Sequence, residues 1–255
     1  VLSWPSIALL GFALGVRHAT DPDHVIAVAT IVARERSVAG AVLVGALWGL
    51  GHTLTIAAVG GAIVVFGLVI SPRLGLATEL SVALMLIALG IRNLGRSGSG
   101  DHSHLHAHAD YVHDHPHGHA PGAHGHEEVE TPLARLDRCF RRLGAYHTLR
   151  PVVVGIVHGL AGSAAVALLV LTAVPGALAE IVYLVVFGVG TIAGMMLVTA
   201  VNALPFAYTA GRFTQANRML GAAAGLASVG FGLFLVYRIG FVHRLFGVAP
   251  LWTPG

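Results

Sequence analysis

Nine residues near the start of the chain, Arg17 to Val25 (RHATDPDHV), place Arg17, His18, Asp21, Asp23 and His24 inside an otherwise apolar stretch. Neutral imidazole is a good ligand for nickel, cobalt, zinc and copper, and carboxylates add charge compensation. The set contains no thiolate, which argues against a copper(I) or iron–sulfur centre. Its imidazoles argue against calcium, which takes oxygen ligands. A charged side chain within a membrane segment costs about 2.5–3.5 kcal/mol on insertion scales, so such groups persist where they face a cavity, a partner or an ion. The competing reading is a juxtamembrane loop whose polar residues are simply solvated.

Pro22 shapes this string. It has no N–H and would clash with the carbonyl of His18 in a continuous helix. It also pushes Asp21 away from the helical region. Asp21 therefore reads as the N-cap, and Pro22 as the first position, of a second half-helix. His18 and His24 lie about 120° apart around an ideal helix. A break can bring both toward one point and free backbone carbonyls as extra ligands.

Two further histidines have apolar surroundings. His52 sits in WGLGHTLTI, where Gly49 and Gly51 allow close backbone approach. It reads either as a fourth ligand or as a structural histidine hydrogen-bonded between helices. His158, in VHGLAGSAA, has no acidic neighbour in sequence and carries the same two readings. Thr53, Thr55, Ser163 and Asn202 either line a path or pack helices.

A third group is of another kind. Ten of the 16 histidines fall in DHSHLHAHADYVHDHPHGHAPGAHGH: His102, His104, His106, His108, His113, His115, His117, His119, His124 and His126. The spacing suits loose, exchangeable metal buffering rather than a rigid structural zinc site, with pH sensing as the alternative. The segment is low in complexity and is expected to be disordered without metal.

The elements that must position these residues are membrane helices. Of the 255 residues, 55% are hydrophobic and 11% charged, against about 25% charged in a soluble domain. The mean hydropathy of +0.78 agrees. A span needs roughly 20 apolar residues. Six stretches qualify: 6–33, 38–70, 76–94, 151–174, 179–207 and 219–242, the second long enough to be two segments. The apolar N-terminus lacks a basic region ahead of it and is read as mature structure rather than a signal peptide. The 33 glycines suit close helix contacts in lipid. The single cysteine, Cys139, excludes a disulfide framework and thiol-pair redox chemistry. A formal charge of +3 gives no basic face for nucleic acid.

Short strings repeat in order. Gly15-Val16-Arg17-His18-Ala19 resembles Gly155-Ile156-Val157-His158-Gly159, and Trp48-Gly49-Leu50-Gly51-His52 resembles Phe187-Gly188-Val189-Gly190-Thr191. Two three-span halves would run in opposite directions, the inverted-repeat plan of many secondary transporters, whose sites lie near mid-membrane at the repeat interface. The expected organisation is an all-α polytopic membrane protein. Residues 1–95 form the first three-helix repeat, its first helix broken near Pro22. Residues 96–150 form a His-rich loop and a surface amphipathic segment, and 151–255 the second repeat. Eleven arginines fall on the side of the first, third and fifth connections against three on the other. That bias puts the His-rich loop in the cytoplasm and both termini outside, in a plasma (inner) membrane.

The string His18 to His24 fits His-x-x-x-x-Asp-His, which resembles the signature of the NiCoT nickel/cobalt transporter family. There it reads like HAxDADH and is followed one helix later by Leu-Gly-His. HATDPDH and Leu50-Gly51-His52 stand in those places here. The resemblance implies that His18, Asp23 and His24 take part in metal selection and passage, with His52 nearby and Asp21 on an acidic motif position. Many members have eight helices rather than six, and Pro22 replaces a common Ala. The fourth span looks more like six-helix relatives described as urease-accessory membrane proteins.

The expected function is transport of a divalent transition-metal cation, Ni²⁺ or Co²⁺, as substrate and with no cofactor. The candidate ligands are His18, Asp21, Asp23, His24, His52 and His158. The expected partners are the lipid bilayer, the ion and a cytoplasmic metallochaperone or metalloenzyme maturation proteins. No phosphate-binding loop is present in the sequence. The rivals are an exporter using the same site, a membrane-bound metal store or sensor built on the loop, and an intramembrane metalloenzyme. The last would want His-Glu-x-x-His, which the sequence lacks.

Overall fold

In lipid, backbone N–H and C=O groups must satisfy one another, and an apolar chain does so by forming helices or a closed barrel. This chain forms helices. A computed structural model describes residues 3–33, 35, 37–66, 71–98, 102–108, 111–117, 145–160, 176–210 and 212–252. Among them are seven α-helices: α1 (Trp4–His18), α2 (Pro22–Val32), α3 (Val38–Phe66), α4 (Pro72–Gly98), α5 (Ala145–Gly159), α6 (Ala177–Ala210) and α7 (Thr214–Tyr237). A π-helical turn, Arg238–Val242, extends α7. Among the described residues, four segments are long and apolar enough to cross a membrane: Val38–Ile63, Pro72–Gly95, Leu178–Ala210 and Thr214–Val242. The protein is a polytopic helical membrane protein.

The expected first span is two half-helices. α1 ends at His18 and α2 starts at Pro22, the position where a proline is tolerated because its missing N–H would be unpaired anyway. With 15 and 11 residues, each half is shorter than a bilayer core of about 30 Å requires. The second expected span is a single helix, α3, and not two segments. The fourth begins earlier than its apolar run: α5 starts at Ala145 and continues through Pro151. Most of the amphipathic segment and the second half of the expected fourth span (161–174) lie outside the described residues, as do His119, His124 and His126.

The described part of the His-rich loop corrects the expectation of disorder. Strands β1 (His102–His108) and β2 (Tyr111–His117) pair antiparallel, with His102 opposite His117, His104 opposite His115 and His106 opposite His113.

Glycines set the helix spacing around the centre. α1 lies against α6, and α5 lies against α3. A Cβ on Gly15 would overlap the carbonyl of Phe187, and one on Gly155 would overlap that of Trp48. A Cβ on Gly51 would overlap the carbonyl of Val152, and one on Gly190 that of Phe12. α3 also packs on α6, and α4 on α7. The core around these crossings includes Ala19, Ala27, Val28, Trp48, Leu86 and Met195, all buried. Outward faces carry Leu43, Leu54, Leu84, Val185 and Leu226, as lipid contact requires.

Candidate metal centre

Two helix C-termini and one helix N-terminus meet at the break. α1 ends at His18, α5 ends one residue after His158, and α2 opens with Asp23 in its first turn. Partial negative charge at the C-terminal ends favours a cation, while the N-terminal end of α2 favours carboxylates beside it. α3 passes this junction and presents His52. The four histidines are buried, three of them completely. His24 sits between the others, its ring centroid 4.8 Å from that of His18, 5.0 Å from His52 and 4.3 Å from His158.

Their hydrogen bonds fix which ring nitrogens are free. A carboxylate only accepts, so a ring nitrogen facing one carries the proton. His18 Nδ1 donates to Asp21 Oδ2 at 2.9 Å. His24 Nδ1 donates to Asp23 Oδ1 at 3.1 Å, and His158 Nε2 donates to Asp23 Oδ2 at 2.8 Å. With its Nδ1 protonated, neutral His18 offers Nε2 as a lone pair, 2.9 Å from Nε2 of His52. His52 then donates there. That leaves lone pairs on His24 Nε2, His52 Nδ1 and His158 Nδ1. These three atoms are buried and have no hydrogen-bond partner among the described residues. A buried polar atom left unpaired costs about 1–3 kcal/mol. Three in one cluster of imidazoles is what a transition-metal ligand set looks like.

Two overlapping groups place donor atoms within 4.8 Å of one another: His18, His24 and His52, and Asp23, His24 and His158. Asp21 joins by orienting His18 from the rim, its side chain 37% exposed. Asp21 is the N-cap residue of α2, as expected, but its side chain makes no cap bond: the carboxylate turns back to α1 instead.

Other sequence candidates are placed elsewhere. Arg17 is exposed. Thr53 bonds the carbonyl of Gly188, Thr55 those of Gly51 and Ile156, and Asn202 that of Val198 in its own helix. The two threonines join helices, while Asn202 bonds within its own. Ser163 lies outside the described residues. Two residues that the sequence reading did not assign to the site form its walls. Trp48 stacks near His24 with centroids 5.8 Å apart and meets His158 edge-on at 5.4 Å. Phe187 lies 5.7 Å from His18. A signal for Trp48 existed: it is four residues before His52, on the same helix face.

The fold and this cluster define a multi-helix membrane protein with a buried His/Asp centre suited to a divalent transition metal. A family profile described as "NicO: High-affinity nickel-transport protein" matches residues 5–243, and the chain belongs to that family. It is also 33% identical to the "Urease accessory protein UreH" of Bacillus sp. (strain TB-90) over 97% of this chain and 96% of that one. No solved structure matches it. The resemblance carried by HATDPDH and Leu50-Gly51-His52 is borne out at the level of a nickel-transport family.

Proposed function

We propose that this protein carries Ni²⁺, with Co²⁺ as the close alternative, across the membrane through the buried His/Asp cluster. The observation that carries the reading is the set of three buried, unpartnered ring nitrogens on His24, His52 and His158. His18, His24, His52 and His158 are the proposed imidazole ligands. Asp23 compensates charge and either ligates or holds His24 and His158, while Asp21 holds His18.

Matched contacts support two inverted three-helix repeats, 1–95 and 151–255. Gly15 on Phe187 and Thr191 corresponds to Gly155 on Trp48 and His52, and Gly51 on Val152 corresponds to Gly190 on Phe12. In that plan His18 and His158 are mates, and Thr191 stands where the first half has His52. The segment 96–150 buffers metal on the cytoplasmic side, with both termini outside in a plasma (inner) membrane, and passes ions to or from a metallochaperone or metalloenzyme maturation protein.

Uptake of radioactive Ni²⁺ into proteoliposomes tests the reading. Wild type and a deletion of Asp101–His126 take up the ion, and His18→Ala/His24→Ala does not. Equal uptake by the double variant sinks the site assignment. Metal handling that disappears with the loop alone replaces the transporter with a store.

A further inference from the structure

The cluster holds more donors than one small ion needs, and they divide. His18 and His52 face each other on one side of His24, at 2.9 Å, whereas Asp23 and His158 face each other at 2.8 Å on another. Each pair completes a three-donor group only by including His24. The rings of His52 and His158 stand 6.2 Å apart between centroids. His24 alone among the four touches every other imidazole within 5.0 Å.

The two groups also belong to different ends of the structure. α1 delivers His18 and starts near the N-terminus. α5 delivers His158 and starts after the His-rich segment. The broken helix α1–α2, then α3 and then α4 lie between those two starts, so in the two-repeat plan proposed above three crossings put them on opposite membrane faces. Each half-helix therefore brings its terminal histidine to the middle from its own side.

We infer that the centre is two overlapping subsites for a single ion, His18/His24/His52 and Asp23/His24/His158, and that the ion passes between them while His24 keeps hold of it. This rests on the transport reading above. The subsite containing His158 faces the side from which α5 enters. In the handover the ion exchanges Nε2 of His18 and the unprotonated nitrogen of His52 for Asp23 and the unprotonated nitrogen of His158. No proton or electron is consumed overall: Asp23 gives up its hydrogen bonds to the two rings as it takes the cation, and the rings of His18 and His52 restore the bond between them. Sharing His24 excludes occupancy of both subsites at once, so one ion cannot be trapped behind another. It also makes His158 a ligand in its own right, although no acidic residue is near it in sequence.

The test uses the purified full chain, Ni²⁺ as the probe, and His24→Ala, His52→Ala and His158→Ala. Equilibrium titration, repeated on the deletion of Asp101–His126 to subtract ions held by the loop histidines, is expected to give one Ni²⁺ per wild-type chain at the buried centre. His52→Ala and His158→Ala each keep one ion with Kd raised about 10–100-fold, yet each loses uptake into proteoliposomes. His24→Ala loses both binding and uptake. X-ray absorption at the nickel edge separates the stranded ions: three imidazoles in His158→Ala, two imidazoles and a carboxylate in His52→Ala. Two ions per wild-type chain at the buried centre, or the same imidazole count in both single variants, overturns the shared-ligand arrangement. Wild-type binding and uptake in His158→Ala makes that residue structural. If wild type binds one ion but transports none, the transport reading fails, while the ligand counts still decide between one subsite and two.

Discussion

His158 Nε2 donates to Oδ2 of Asp23 at 2.8 Å, closing a bond between the end of α5 and the start of α2 across 135 residues of sequence. The other oxygen of the same carboxylate takes the Nδ1 proton of His24. One carboxylate thus fixes the tautomers of two imidazoles and points the protons away from the nitrogens left free.

Asp23→Asn removes one of those acceptors. An amide presents one oxygen and a donating NH₂ group, so either His24 or His158 must turn or change tautomer. Nickel affinity is expected to fall about 10–100-fold, the usual effect of losing a carboxylate that orients a metal-bound histidine, and more if Asp23 ligates directly. Isothermal titration with Ni²⁺ measures it. Unchanged affinity would make the carboxylate a mere helix-start charge.

Asp21 acts on one ring only, and from the rim. Asp21→Asn keeps an oxygen for His18 Nδ1 and should cost less than Asp21→Ala, which frees the ring to take the other tautomer. The expected order of nickel Kd is wild type, then Asn, then Ala, with Ala weaker than wild type by about tenfold. A pure charge effect would instead give Asn and Ala equal losses.

These two carboxylates mark where sequence reasoning reached its limit. The break at Pro22 and the grouping of His18, Asp23 and His24 were legible, because a proline in an apolar run with charged neighbours leaves few alternatives. The pairing of Asp23 with His158 was not, since nothing local records a contact over that distance. Asp21 looked like a cap from its position alone, and only the nearby end of α1 offers its carboxylate a better partner. The start of α5 at Ala145 was hidden because hydropathy marks the lipid-facing stretch and not the polar turn ahead of it. The hairpin was visible in principle. Histidine at every second position over 102–108 and 113–117 is the period of a strand, but low complexity drew the reading toward disorder.

Trp48 offers a direct report on occupancy. Its ring lies 5.8 Å from His24 and is buried, whereas the other two tryptophans are Trp4, in α1, and Trp252, bonded to Glu79. In a Trp4→Phe/Trp252→Phe background that also lacks Asp101–His126, Ni²⁺ is expected to quench the remaining fluorescence with a one-to-one endpoint. Adding His24→Ala should remove the quenching. Quenching that survives that change would place the bound ion somewhere other than this cluster.

The glycine crossings hold the histidines at their spacing. A Cβ at residue 155 would overlap the backbone of Trp48, which cannot yield as a flexible side chain would. Gly155→Ala must therefore push α5 away from α3, carrying His158 away from His24 and Asp23. Overpacking of this kind costs about 1–3 kcal/mol, so a lower thermal midpoint in detergent is expected together with weaker nickel binding. Gly61→Ala is the matched control in α3. Among the described residues nothing lies within 4 Å of a Cβ there, and replacing a helical glycine with alanine gains about 0.5–1 kcal/mol. Thermal unfolding of the two variants with and without Ni²⁺ separates the effects. Gly155→Ala should lose most of the nickel-induced stabilisation, and Gly61→Ala should keep all of it. Equal stabilisation in both would mean that the α3–α5 approach does not set the geometry of the centre.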